Sequence, residues 1–374
     1  MVDCDVLIVG AGPAGTSCAW KLRNSGLSVV ILDKQRFPRD KVCGGWITPP
    51  VVVELEINLA EYSRTRVLQP IRGFRTSRMG GLEVETKYQE PISYAIRRCE
   101  FDEFLLKRCG AHVCEGTDFH SLEKSGEQWI ANGQIRARLV VGAGGHFCPV
   151  ARLRGANARA EVAVAAQEME FAMTEKQAQE CAIRAETPEL YFCLDMKGYG
   201  WCVRKGNFLN VGLGRLDPRA LPGYVAGLLD FLKAARKITF ELPGKMLGHS
   251  YLLYGYTKRN VAEDGVLLIG DAAGLAYAQS GEGIRPAVES GLLAAKAVLS
   301  AGTNGSSQLS ETYRGLLEER FGKAQREWIA NIGRHLPGWL LSSASRLLMT
   351  NRWFSRRVLL ERWFLHRDEP ALSV

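Results

Sequence analysis

Several things are missing from this 374-residue chain, and each absence excludes something. No run of about 18 apolar residues occurs, so no segment is expected to span a bilayer. The chain opens on an apolar, strand-like run and not on a basic stretch followed by an apolar one, so no secretory leader is expected. Its 10 cysteines are scattered, and no two are spaced as Cys-x-x-Cys, which removes zinc-ribbon and thioredoxin-type readings. Several lie in apolar stretches, where a reduced thiol acts as a small hydrophobe, so a cytoplasmic protein is expected. No metal-ligand cluster, Ser-His-Asp set or nucleic-acid-binding motif is visible, so neither a metal nor nucleic acid is expected as a partner. With 46% hydrophobic and 24% charged residues the chain is globular, and its length suggests two lobes. The net charge of +8 favours an anionic partner, and part of the excess is concentrated near the C-terminus.

What is present begins at once. Residues 3–34 read as strand, glycine turn, helix, strand and acid. The apolar run Val6 to Val9 ends in Gly10-Ala11-Gly12-Pro13-Ala14-Gly15, a helical pattern follows, and Val29 to Leu32 ends on Asp33. In such a motif Gly10 permits the tight turn, Gly12 lets backbone approach a pyrophosphate, and Gly15 lets helix pack on strand. The helix start at Pro13 and Ala14 offers free N–H groups and a positive dipole end to phosphates. Asp33, 18 residues beyond Gly15, is placed to accept from ribose hydroxyls. These features predict a dinucleotide site, without distinguishing FAD from NAD. A basic, glycine-containing loop follows, in which Lys34, Arg36, Arg39 and Lys41 either offset phosphate charge or are simply solvated.

Residues 51–66 look helical, and further along Arg98 precedes Phe101-Asp102 at the start of an amphipathic helix. A strand over 135–141 runs into Gly142-Ala143-Gly144-Gly145-His146. Residues 158–172 and 189–214 read as antiparallel strands, and 219–236 as a helix. A buried strand, Val266 to Ile269, meets Gly270-Asp271, and Ser280-Gly281-Glu282-Gly283 leads into a long helix from about Ile284. Residues 309–366 look helical, with Trp328, Trp339, Trp353 and Trp363 among arginines such as Arg334, Arg346, Arg352, Arg356, Arg357 and Arg362. That mixture suits either an anionic membrane interface or a helical cap.

Together the glycine motif with Asp33, the Arg98-to-Asp102 segment and the Gly270-to-Gly283 segment resemble the p-hydroxybenzoate-hydroxylase-like flavoproteins. Within that group the chain looks most like the geranylgeranyl reductase family. Lys41-Val42-Cys43-Gly44-Gly45 resembles that family's Cys-Gly segment beside the flavin. Tyr199-Gly200-Trp201, Lys205-Gly206-Asn207 and Asn210-Val211-Gly212 resemble its aromatic substrate motif. The chain departs from the family at Gly144, where an acid is usual, at Val203-Arg204, where Phe and Pro are usual, and at Met196, which replaces a Pro.

The resemblance implies an α/β fold: a Rossmann-like FAD-binding lobe (1–60, 95–155 and 255–305), an antiparallel-sheet substrate lobe (61–94 and 156–254) and a helical C-terminal segment (306–374). It implies FAD as cofactor, with Arg98 touching the dinucleotide and Asp271 facing its ribityl or pyrophosphate part. Gly281 and Gly283 would lie against the isoalloxazine ring, with the helix from Ile284 pointing its positive end at the ring. The reductant, NADPH or another donor, stays open because no second nucleotide motif exists. Cys43 is expected either to donate a proton or to pack. Arg285 is expected to neutralise reduced flavin or hold an anionic substrate. Trp46, Tyr199 and Trp201 are expected to line the substrate cavity or to form core, and His146 to meet cofactor or substrate or to be structural.

The leading expectation is an FAD-dependent oxidoreductase reducing a carbon–carbon double bond of a lipid-like or isoprenoid substrate. The alternative is a monooxygenase acting on an aromatic molecule or a protein-borne side chain. A third is a non-enzymatic flavin electron carrier. Peripheral attachment to the inner face of a membrane through the C-terminal segment accompanies the first two.

Overall fold

The computed structural model describes residues 1–157, 161–256, 259–302, 306–322 and 347–373. The main sheet has eight strands. Its path runs Ala262–Glu263, Val266–Leu268, Ile135–Gly142, Val2–Val9, Val29–Asp33, His112–Glu115. The four strands from Val266–Leu268 to Val29–Asp33 pair in parallel, as does His112–Glu115 (Val6↔Val29, Leu7↔Val140, Val141↔Leu267, Ile31↔Val113). Leu122–Ser125 and Gln128–Ala131 extend it antiparallel off Ile135–Gly142. A parallel sheet is covered on both faces, so its strands are apolar without alternation. That is why Val6, Leu7, Ile8, Val140, Val141 and Leu267 are all buried. The helices Pro13–Leu22 and Ile284–Ala301 pack on this sheet and on each other.

A second sheet has seven strands in the order Leu247–Leu252, Ala163–Ala172, Phe208–Arg215, Gly198–Lys205, Glu189–Phe192, Gly73–Arg78, Val84–Lys87. All its pairs are antiparallel except Glu189–Phe192 with Gly73–Arg78. One face is closed by the helix Leu221–Ala234, whose Leu221, Val225 and Leu228 meet Val211 and Leu213. The other carries Phe74, Leu190, Phe192, Trp201 and Val203, on which Met349, Leu359, Leu360 and Phe364 of the C-terminal segment pack. A small sheet of Trp46–Ile47, Ser93–Ile96 and Leu68–Ile71 takes strands from either side of the boundaries expected at 60/61 and 94/95.

The α/β architecture agrees with the expected fold class. Local differences have local causes. The helix expected over 51–66 is two pieces, Pro49–Glu54 and Leu59–Tyr62, because Glu56 takes a positive φ of 50° and Asn58 caps a new start. The C-terminal region contains the helix Ser306–Phe321, helical residues 347–350, the short helix Arg352–Phe354 and a π-helix Ser355–Phe364. Trp328, Arg334, Trp339 and Arg346 lie outside the described residues. Among the described residues no helix is long and apolar enough to cross a membrane.

The contact between the helices Pro13–Leu22 and Ile284–Ala301 depends on Gly291. A Cβ there would lie 2.3 Å from Ala14 O and 3.1 Å from Cys18 N. Gly291→Val is therefore expected to cost about 1–3 kcal/mol or more by overpacking. A lowered thermal unfolding midpoint checks this, and an unchanged midpoint would contradict the close approach.

Candidate functional site

A cavity of about 830 Å³ is lined by residues of the main sheet, the second sheet and the loop between Lys34 and Trp46. Its first wall is the glycine turn. Gly10 has φ 114°, and a Cβ there would meet Ala143 O at 2.4 Å, so the turn lies directly on the Gly142–Gly145 turn. Gly12 caps the helix Pro13–Leu22, and Gly12, Pro13 and Ala14 all line the cavity. Gly15 sits behind, where a Cβ would fall 2.0 Å from Gly10 O; its role is packing. Asp33 Oδ2 accepts from Ala11 N at 2.7 Å and Oδ1 from Gln35 N at 2.8 Å. The carboxylate thus fastens the turn while lining the cavity beside Lys34.

A second wall is cationic. Arg98 makes two 2.8 Å bonds to Asp102, which Arg39 also meets at 3.2 Å. Burial disfavours the Arg98 charge, but Asp102, with help from Cys43, outweighs it and raises the pKa. Lys41 Nζ lies 2.8 Å from His249 Nε2. Burial, then the charge of Arg98, brings Lys41 down to about 8 despite Asp271. Burial and the charge of Lys41 push His249 down to about 3, so its ring is neutral and accepts. Asp271 also lines the cavity, and burial raises its pKa against Lys41 and Arg98.

The third wall is the start of the helix Ile284–Ala301. Gly281, Gly283 and Ile284 line the cavity, and Glu282 Oε1 accepts from Arg285 N at 2.9 Å to cap the helix. Gly270 lies beneath, its N–H donating to Ser290 Oγ at 2.9 Å. Two helix N-termini therefore converge on one space.

At the far end stands an aromatic wall. Cys43, Gly44, Trp46, Tyr199 and Trp201 all line it. Tyr199 Oη donates to Ser280 O at 2.5 Å, and Trp201 Nε1 donates to Asn210 Oδ1 at 2.7 Å. Both polar tips are thus engaged, and the rings present apolar surface.

One expectation is corrected. Arg285 does not face the cavity. It is completely buried on the other side of the helix, with Nε on Glu289 Oε1 at 2.7 Å. Its Nη atoms donate to the carbonyls of His366 (3.2 Å), Glu369 (2.8 Å) and Pro370 (3.1 Å). With its donors spent on Glu289 and the C-terminal segment, it is a fastening and is not among the residues lining the cavity. His146 does line the cavity, with a buried Nδ1 that has no partner among the described residues. His249 was not anticipated, because a lone histidine on a short strand carries no spacing signal.

The residues fit a dinucleotide. Around Gly12 the nearest other atom to a Cβ would be Arg39 Nη2 at 3.8 Å, so no protein packing demands glycine there. The cavity is what a side chain would fill. Arg39 Nη1 is buried at the same cavity without a partner among the described residues, as suits a diphosphate oxygen.

Comparisons agree. The model of the family described as FAD binding domain matches residues 3–199, more than half of the chain. The chain is 29% identical over 348 residues to a menaquinone reductase of Mycobacterium tuberculosis, covering 86% of this chain and 81% of that one. It is 29% identical over 355 residues to a digeranylgeranylglycerophospholipid reductase of Methanothrix thermoacetophila, covering 89% and 86%. In fold it is similar to a geranylgeranyl bacteriochlorophyll reductase-like protein of Thermoplasma acidophilum, with TM-score 0.79, 21% identity and 98% of each chain covered.

Gly12→Val should place a branched side chain in the dinucleotide path. The purified variant is expected to lack FAD, read as loss of the flavin absorbance band with an unchanged circular dichroism spectrum. A yellow variant with wild-type flavin content would refute the placement.

Proposed function

We propose, from the premise that this chain belongs to the FAD binding domain family and is an FAD-dependent oxidoreductase, that it saturates a carbon–carbon double bond in the isoprenoid part of a lipid or lipid-soluble quinone. The observation that carries this reading is the far end of the cavity, where the Cys43 thiol stands beside apolar ring surfaces of Trp46, Tyr199 and Trp201. Relatives named for menaquinone and for a digeranylgeranyl lipid support the substrate class.

Bound FAD supplies the hydride. The chain's own residues do the rest. Gly12, the N-terminus of the helix Pro13–Leu22 and Arg39 hold the diphosphate, and Asp33 accepts from ribose. The aromatic wall takes the prenyl chain and excludes water. Adding hydrogen across an alkene also needs a proton at the second carbon, and the Cys43 Sγ–H gives it. The Arg98 guanidinium reaches Cys43.

A lipid-borne substrate places the enzyme at a membrane surface. Leu347 and Trp353 are 75% and 67% exposed, and Arg352, Arg356, Arg357 and Arg362 are exposed around them. Trp353 and the arginines form the sort of interface that anionic headgroups attract.

Two outcomes follow. The reduced, FAD-loaded protein should reoxidise without oxygen when given a polyprenyl quinone or an unsaturated prenyl lipid. Cys43→Ser should keep its flavin yet slow this by about a hundredfold or more, as loss of a general acid does. Reoxidation by oxygen alone, with an oxygenated product, would establish the monooxygenase, and an unslowed variant would return Cys43 to packing. On vesicles containing anionic lipid, each arginine-to-glutamine change among Arg352, Arg357 and Arg362 should weaken cosedimentation about fivefold. Equal binding by variants and wild type would remove the membrane surface from the account.

A further inference from the structure

Beneath the Cys43–Gly45 loop the second sheet presents polar side chains to a buried interface. Glu168 and Glu170 share one face of the strand Ala163–Ala172, because side chains alternate. The neighbouring strand Phe208–Arg215 sets Asn210 opposite Glu170 and Gly212 opposite Glu168. The next strand, Gly198–Lys205, adds Trp201 and Lys205. Lys205 and Asn210 are fully buried and Glu168 is 5% exposed. Lys205 pairs with Glu170 at 2.6 Å, and Arg97 meets the same carboxylate at 3.1 Å.

Asn210 is the hub. Its Oδ1 accepts from Trp201, and its Nδ2 donates to Cys43 O at 3.1 Å and to Glu170 and Glu168 at 3.2 and 3.3 Å. Gly212 makes room for this, since a Cβ there would lie 2.3 Å from the Trp201 ring. Glu168 in turn holds the hub from the strand Ala163–Ala172, accepting from Asn210 Nδ2. The Cys43 carbonyl is thus held by a side chain from the opposite sheet, 167 residues away. Burying such groups costs free energy, and apolar side chains would fill the same volume more cheaply.

We propose that Asn210 is a positioning residue, gripping the C=O of Cys43 and so aiming its thiol into the cavity, and that Glu168 acts with it by holding Asn210 in place. The consequence for turnover rests on the reductase reading; the grip itself is read on the thiol. Burial raises Glu168 to about 7, opposed by Lys205 and the Asn210 hydrogen bond and reinforced by Glu170. Lys205, Glu170 and Asn210 face it, with Arg97 behind Glu170. Above that pH the carboxylate accepts fully from Asn210 Nδ2; below it the proton weakens the hold.

The test is the rate at which iodoacetamide alkylates Cys43 in the FAD-loaded protein, resolved from the other cysteines by peptide mass spectrometry. Asn210→Leu and Glu168→Leu should each change the rate by on the order of tenfold or more, since small misplacements of a reacting group have effects of that size. Glu168→Gln keeps an acceptor for Asn210 Nδ2, so it should restore the wild-type rate at alkaline pH and remove the inflection at about pH 7. Rates and pH profiles that match wild type in both Leu variants would overturn the proposal. Should Asn210→Leu fail to fold and load FAD, the Glu168 pair decides alone. An unslowed Cys43→Ser enzyme would sink the thiol's chemical role while leaving the grip measured, so the two failures are distinguishable.

Discussion

Everything in this molecule hangs from a backbone-on-backbone contact around the first glycine turn. Gly10 lies on the carbonyl of Ala143, Gly15 on the carbonyl of Gly10, and Gly291 on the carbonyl of Ala14, each closer than a Cβ would allow. These contacts bring three distant stretches of chain together without intervening side chains. They leave the starts of the helices Pro13–Leu22 and Ile284–Ala301 facing one cavity. Helix starts carry unpaired N–H groups and partial positive charge, so the packing that builds the core also builds an anion cradle.

The second sheet depends on that frame in turn. It supplies the aromatic wall and the polar patch beneath Cys43, while Lys41 on the first lobe meets His249 on the second. The C-terminal segment closes the arrangement from outside. Arg285 and Arg320 hold its carbonyls and share Glu289, so the helix whose start faces the cavity is also the anchor of the tail. A fully buried arginine with partners for its donors is structural by necessity, because leaving any of those charges unpaired would be costly.

What the sequence made legible was local. Gly10 to Asp33, and Gly270 to Ile284, carry their meaning in spacing along one strand–turn–helix unit, and the structure lines them along one cavity wall after another. Arg285 misled for the same reason. Its neighbours in sequence are flavin-side glycines, while the carbonyls it fastens lie more than 80 residues downstream. Glu168 and His249 went unremarked, and Lys205 and Asn210 entered only as parts of a motif, because what they do is a matter of strand register: Glu170 opposite Asn210, and Gly212 opposite Glu168. No periodicity in a single strand reports which loop lies above it. The break between Glu54 and Leu59 was missed because one residue, Glu56, adopts a left-handed conformation that its identity does not announce.

The central claim is that this cavity adds hydrogen across a carbon–carbon double bond, with a proton from the loop and no oxygen in the product. The most direct measurement is the product itself. The reduced, FAD-loaded protein is given an unsaturated prenyl quinone in two parallel reactions, one without oxygen and one under isotopically labelled oxygen, and the product is weighed by mass spectrometry. The account predicts the same product in both, heavier by two hydrogens and free of label. A product that forms only with oxygen and carries the label would contradict it.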